Sequence, residues 1–455
     1  MSQGSSLKRA NPIGERSERM EWWVTLLVIF LGLMLLFLMG VPVAFSFLFI
    51  NILGVYFFWG GEAGLSQLIR SVYRSVATFS LLPVPLFVMM GEIMFRSGIA
   101  PKMMDTIDKW LGRIPGRLSL LAVAGGTLFA TLSGSAMAGC AMLGSVLVPE
   151  MRKRGYSKAM TLGPILGSGG LAIMIPPSAL GVLLASLSQI SVGGMLVAII
   201  FPGMVMAVLY GAYVILRCWL QPHLAPSYDI APVPFAEKIS MTCKYVLPLG
   251  SIIFLVVGLM FLGIATPTES AALGALGCFV LLFIYKGWDW PVMVQSVSSS
   301  LRITVMMFMI MTGAMTFSQI LAFSGASAGL VQLAVGADLP TMVILIFMQV
   351  ILILMGTFME PLTIMMVTLP IYMPVVQSLG FDPLWFGTIM LINMEMATTT
   401  PPFGLVLFVM KGVAPPDTTM SDIYKAGLPF LLCDAVAMGL VMAFPWLALY
   451  LPSKM

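Results

Sequence analysis

The sequence predicts an all-α polytopic membrane protein built as an inverted repeat, with a re-entrant helical hairpin and a broken helix in each half. Three observations lead there. Of the 455 residues, 59% are hydrophobic and only 9% charged, against roughly 25% charged in an ordinary soluble domain. Apolar runs of about twenty residues, the length of one bilayer crossing, recur along the whole chain. Short strings also repeat in order: GTLF at 126–129 with GTFM at 356–359, IPPS at 175–178 with TPPF at 400–403, and FVMMGEIM from Phe87 with FMIMTGAM from Phe308, at offsets of 230, 225 and 221. Three echoes at nearly one spacing indicate duplication.

The elements follow in order. Residues 1–21 form a polar tail carrying Lys8, Arg9, Arg16 and Arg19. The first apolar run, Trp22 to Met39, lacks a small-residue cleavage site and reads as a retained helix. Runs at 41–59 and 81–95 supply two more crossings. The stretch 118–149 is too long for one helix and too short for two crossings with a loop, so it reads as a hairpin that enters and leaves by one face. Residues 160–187 hold consecutive prolines and form a broken helix. A run at 193–217 completes the first repeat, 22–218, and a polar linker spans 219–243. The second repeat, 244–455, has runs at 244–264, 269–285 and 303–321, a hairpin near 340–376, a broken helix at 384–410 and a last run at 427–450.

With each hairpin returning to its own side, the first half makes five crossings, and an odd number inverts the second half. Loop charge sets the orientation. The segments 96–117, 150–158, 217–244, 286–302 and 411–425 carry 16 of the 23 Lys and Arg residues, which makes that face cytoplasmic. The linker is then cytoplasmic and both termini are periplasmic. The basic tail is the one contrary signal.

Composition excludes several classes. The net charge of +4 sits in loops and is not interleaved with aromatics, so nucleic acid is not a partner. The five cysteines have no paired metal-ligand spacing and read as reduced packing residues. The only histidine, His223, lies in a loop, so a serine protease built on Ser133 or Ser135 would lack its general base. The 40 methionines show no clustering and read as packing material. Among the intramembrane acids Glu92, Glu360, Glu395 and Asp434, only Glu360 is assigned a part, as a structural member of the second hairpin. The rest read as bundle-facing residues that hydrogen-bond their neighbours.

The chemistry concentrates at the hairpins and breaks. The first tip, Ser133, Gly134 and Ser135, puts hydroxyls and glycine where a bilayer favours leucine. Its partner helix runs Gly167, Ser168, Gly169, Gly170 into Ile175, Pro176, Pro177, Ser178. Consecutive prolines remove donors and free upstream carbonyls, which with serine hydroxyls suit a small hard cation. The second half repeats this with Gly356, Thr357, Met359 and Glu360, then Ala397, Thr398, Thr399, Thr400, Pro401 and Pro402. Half-helix N-termini meeting there would also favour an anion such as a carboxylate. Inverted repeats with broken helices at their junction are the arrangement of secondary transporters.

At these residues the chain resembles the large membrane subunit of the tripartite ATP-independent periplasmic (TRAP) transporters, the DctM family. The likeness runs from about Glu21 to Pro452 through GVPVAF from Gly40, the SGS tip, IPPS, GIATPTESAALGALG from Gly263, ME at 359–360 and TPPFG at 400–404. The resemblance implies a permease, not an enzyme, with an elevator fold like that of the ion-transporter superfamily. Such a subunit sits in the bacterial inner membrane and takes up an organic acid, for example a dicarboxylate, by sodium symport. Its implied partners are a periplasmic substrate-binding protein of the DctP type and a separate four-helix membrane subunit of the DctQ type, in contact with lipid. The only implied cofactor is the coupling ion Na+. By position, one sodium site would use Ser133 and Ser135 with Gly170, Ala172, Ile175 and Pro177. The other would use Gly356 to Glu360 with Ala397, Thr399 and Thr400. Substrate would meet Ser133, Gly134, Ser135, Ser178, Met359, Thr398 and Pro402. A sodium-coupled carboxylate transporter working without a binding protein is the alternative.

Overall fold

The structure is a computed structural model that describes residues 21–455 except 60, 113 and 227–232. The polar tail through Met20 and the middle of the linker therefore lie outside the described residues. Every described element is a helix. That suits an apolar chain, because hydrocarbon offers no water and each backbone group must be satisfied within its own segment. Seven of the described helices are long and apolar enough to cross a membrane.

In chain order the main helices are α1 (Trp22–Leu38), α2 (Val43–Phe58), α3 (Glu62–Val76), α4 (Pro83–Arg96), α5 (Ile99–Leu111), α6 (Arg117–Ser133), α7 (Ala136–Lys153), α8 (Lys158–Gly170), α9 (Ala179–Leu187) and α10 (Val192–Leu220). The second half continues with α11 (Phe235–Phe261), α12 (Pro267–Lys286), α13 (Trp290–Phe323), α14 (Ala326–Val335), α15 (Thr341–Gly356), α16 (Pro361–Ser378), α17 (Pro383–Thr399), α18 (Leu405–Val413) and α19 (Met420–Ala443). Subtraction recovers the repeat: α15 starts 224 residues after α6, α17 starts 225 after α8, and α18 starts 226 after α9. The offset of 225 pairs Phe308 with Pro83, so the echo that begins at Phe87 is displaced by about one helical turn.

Local signals explain the boundaries. Gly40 and Gly263 adopt φ of +77° and +67°, a region that glycine enters without steric cost, and each reverses the chain after an apolar helix. Pro42 and Pro267 then start the next helix, where a missing N–H costs nothing. Thr266 and Glu269 close a capping box at the start of α12, as Thr419 and Asp422 do for α19.

Three helices were not visible as apolar runs. α3 and α5 are strongly amphipathic and α14 is short, and the run at 303–321 is part of the 34-residue α13. The segment 96–117, read as a charged loop, is largely the helix α5.

The chain divides into two compact units. The first comprises Met1–Ala77, Phe308–Leu339 and Met366–Leu379. Within its described part, the Asn51 amide of α2 donates to the Gly313 carbonyl at 2.8 Å, Phe47 meets Phe317 edge-on at 5.5 Å, and Ser71 of α3 bonds Gln319. The second unit comprises Thr78–Met307, Pro340–Met365 and Gly380–Met455, and it holds both hairpin tips and both breaks.

Within the second unit α8 is buried along almost its whole length and packs on α6, α7 and α19. Pro164 lies inside α8 and cannot donate to the Met160 carbonyl one turn earlier. Ser119 of α6 makes that bond instead, at 2.7 Å. Gly163 and Gly167 leave space for the Phe430 ring of α19, and a methyl on either would stand 2.6 Å or 2.7 Å from α19 atoms.

Candidate functional site

The first tip is a two-residue turn. α6 ends at Ser133, Gly134 takes φ of +56°, and Ser135 caps α7, its hydroxyl oxygen accepting from the Ala138 N–H at 3.3 Å. The Ser133 side chain lies outside the described residues. The second tip is longer, running from 357 to 360 between α15 and α16. There the Thr357 hydroxyl donates to the Leu354 carbonyl at 2.7 Å, and the Glu360 carbonyl accepts from the Ile364 N–H at 3.0 Å. Glu360 is half-buried.

The two breaks are built differently. After Gly170 the chain makes a 3-10 turn, Leu171–Ile173, and then bends through the Pro176–Pro177 pair, before Ser178 caps α9 by accepting from the Gly181 N–H at 3.2 Å. Ala172 lies in that turn, fully buried, with Ile175 and Pro177 just beyond. At the second break the Thr398, Thr399 and Thr400 hydroxyls donate to the carbonyls of Glu395, Met396 and Met396 at 2.8, 3.2 and 2.7 Å. Each hydroxyl proton is thus committed to the helix, and its oxygen remains an acceptor. Gly404 follows Pro401–Pro402. A methyl on it would stand 2.6 Å from the Thr398 carbonyl oxygen and 3.0 Å from that of Thr400. Both Pro–Pro peptide bonds are cis, and the Tyr424 hydroxyl donates to the Pro402 carbonyl at 2.9 Å.

Each tip seats on its own break. α7 packs along α8 and on the 3-10 turn, so closely that a methyl on Gly169 would stand 3.1 Å from the Cys140 Cβ. Gly356 at the second tip lies where a methyl would be 2.7 Å from the Ala397 Cβ, and the Phe358 and Phe403 rings are 5.9 Å apart. The structure therefore joins Gly356 to Ala397, and brings the helix that Ser135 starts onto the turn that holds Ala172. Among the described residues no three His, Cys, Asp or Glu side chains gather as a metal site. The chemistry on offer at both tips is that of hydroxyl and carbonyl oxygens. All five cysteines are free and His223 is exposed.

The acids separate in the structure. Glu92 pairs with Arg96 at 3.1 Å, and Asp434 accepts from the Tyr210 hydroxyl. Glu395 departs from the expectation that it bonds its neighbours. It is 1% exposed, and neither carboxylate oxygen has a hydrogen-bond partner among the described residues. It lies on α17 against Gly170, where a Cβ would overlap its carboxylate.

The family described as "Tripartite ATP-independent periplasmic transporter, DctM component" matches residues 30–447. The C4-dicarboxylate TRAP transporter large permease protein DctM of Pseudomonas aeruginosa is 30% identical over 84% of this chain and 88% of its own, and that of Vibrio cholerae is 29% identical over 94% and 97%. The ectoine TRAP transporter large permease protein TeaC of Halomonas elongata is 28% identical over 91% and 96%. Among solved structures, the YdaH transporter of Alcanivorax borkumensis aligns with a TM-score of 0.60 at 16% identity, covering 85% of this chain and 90% of its own. That likeness is one of fold.

Proposed function

This chain belongs to the DctM family of tripartite ATP-independent periplasmic transporters, and from that premise we propose that it uses a sodium gradient to take up an organic acid. As a TRAP large permease subunit it is a multi-pass membrane transporter and not an enzyme. In this reading it sits in the inner membrane with both termini periplasmic. It works beside a small four-helix subunit and accepts substrate from a periplasmic binding protein. The two tips are re-entrant and enter from opposite faces, and the hairpins with their broken helices shuttle as an elevator.

One observation supports this most strongly: a small-residue tip seated on a Pro–Pro break occurs twice at one repeat spacing, with Gly356 against Ala397 in the second copy and α7 against Ala172's turn in the first. The polar atoms that the tips and breaks offer in their apolar surround are hydroxyl and carbonyl oxygens, which suit sodium better than a softer metal. The broken ends add helix dipoles for a carboxylate. Relatives named for C4-dicarboxylates and for ectoine fit a permease whose substrate choice rests largely with the binding protein.

Uptake by purified protein in liposomes, with and without the binding protein, tests this reading. Uptake that needs both the binding protein and a sodium gradient is expected. Full-rate uptake of free substrate would instead establish a sodium-coupled carboxylate transporter that works alone.

A further inference from the structure

The two broken helices touch where the repeat sets a residue against its own counterpart. Gly170 ends α8 and Glu395 lies on α17, 225 positions later, the same offset that separates Pro176 from Pro401. A Cβ on Gly170 would overlap the Glu395 carboxylate. Tyr210 of α10 and Asp434 of α19, 224 positions apart and so one residue from that spacing, are hydrogen-bonded to each other. A residue that meets its own repeat mate marks a local twofold axis, as Gly170 and Glu395 do, and the second pair approaches the same relation.

Along that axis stand two acids, Glu395 at 1% and Asp434 at 2% exposure. Asp434 has the Tyr210 hydroxyl. Glu395 has no hydrogen-bond partner among the described residues, and Asp434 is near enough to act on it electrostatically. The ion pairs of the described residues include neither acid. The basic residues of the neighbouring helices α8 and α18 are committed elsewhere: Lys158 to Asp422 and the Asp417 carbonyl, Lys411 to the Thr418 carbonyl. The remaining titratable neighbours of the pair, Tyr210 and Cys433, supply no positive charge. A buried carboxylate with no base and no donor must either take up a proton or be accompanied by a cation.

We propose that Glu395 holds a sodium ion on this axis, between the two broken helices, as a site additional to the two at the hairpin tips. The carboxylate supplies two hard oxygens, and glycine at 170 leaves room for them to approach the end of α8. The ion neutralises Glu395 and is shared between the halves, so its occupancy ties one break to the other. The identity of the ion rests on the sodium-coupled reading above; the position of the site does not.

Equilibrium binding of 22Na+ to the purified protein in detergent tests this. Glu395→Gln keeps the shape and removes the charge, and it is expected to bind one sodium fewer than the unaltered protein. Glu395→Asp keeps the charge but draws it back from the end of α8, and it is expected to bind that ion with lower affinity, which keeps the test open if the Gln variant fails to fold. The combined Ser135→Ala and Thr400→Ala variant should weaken tip binding and retain the axial ion. A full sodium complement in Glu395→Gln, or unchanged sodium affinity in Glu395→Asp, overturns the axial site and leaves the tip sites standing. One sodium fewer in Glu395→Gln with normal binding in the tip variant does the reverse. An unaltered protein that binds no sodium defeats both.

Discussion

The two breaks share a plan and differ in chemistry. At the first, α8 ends in Gly167, Ser168, Gly169, Gly170, all buried, and Ser178 restarts the chain with a side-chain cap. At the second, α17 ends in Ala397, Thr398, Thr399 with Thr400 just beyond, and α18 starts from Gly404 without one. The first break is thus shaped by the absence of side chains, which lets α7 and α17 close on its backbone. The second keeps its hydroxyls and places its indispensable glycine after the prolines, between the Thr398 and Thr400 carbonyls. Duplicated halves have kept the bend and exchanged which side of it carries side chains.

Five substitutions test this contrast, in order of expected effect. Gly404→Ala should be the most damaging, because its methyl meets backbone oxygens that cannot move aside. Overpacking of this kind costs about 1–3 kcal/mol, so uptake in liposomes should fall roughly tenfold or more. The glycine of the first tip, Gly134, has no atom within 4 Å of such a methyl, but its positive φ makes alanine strained there too. A smaller loss at 404 than at 134 would mean that backbone conformation, not crowding, governs these turns.

Next, Thr400→Ala removes the hydroxyl oxygen that the proposed tip site would offer the ion, already oriented through the Met396 carbonyl. Hydrogen bonds to charged groups are worth about 1.5–3 kcal/mol, so the sodium concentration for half-maximal uptake should rise about tenfold. Ser135→Ala also removes the α7 cap, and it should lower the melting temperature as well as sodium affinity. Unchanged sodium dependence in both variants sinks the assignment of ions to the tips.

Third, Ser178→Ala should cost about 1 kcal/mol through the lost cap, read as a drop of a few degrees in melting temperature with the sodium response intact. No equivalent side-chain cap exists at Gly404, so the effect belongs to the first break alone. The smallest effect is expected of Arg152→Ala, whose pair with Asp417 is more than half exposed on both sides. Such pairs contribute little, and neither melting temperature nor uptake should change measurably.

Much of this was legible because membrane-spanning sequence is constrained by length. Runs such as 118–149 and 340–376 fit neither one crossing nor two, and the Pro–Pro pairs are breaks that few other dipeptides would impose. The helices α3 and α5 escaped because hydropathy averages over both faces of an amphipathic helix, whereas burial depends on one. α13 escaped because its first turns are polar while its later ones are not. Glu395 was misread for another reason: residue type alone cannot show whether a buried acid finds a donor. The signal was nonetheless present in the arithmetic, since subtracting the offset of the Pro–Pro pairs from 395 lands on a glycine at the end of the partner helix.

The contacts of Gly170 with Glu395 and of Tyr210 with Asp434 also bear on ancestry. Were the halves two identical chains paired about a twofold axis, each of these positions would face a copy of itself: glutamate against glutamate, or tyrosine against tyrosine. A void matched to a carboxylate, and an acid matched to a hydroxyl, can be selected only where the two sides mutate independently. The complementarity is therefore younger than the duplication that made the halves. It also binds them to each other, because neither half could return to pairing with its own duplicate without setting like against like.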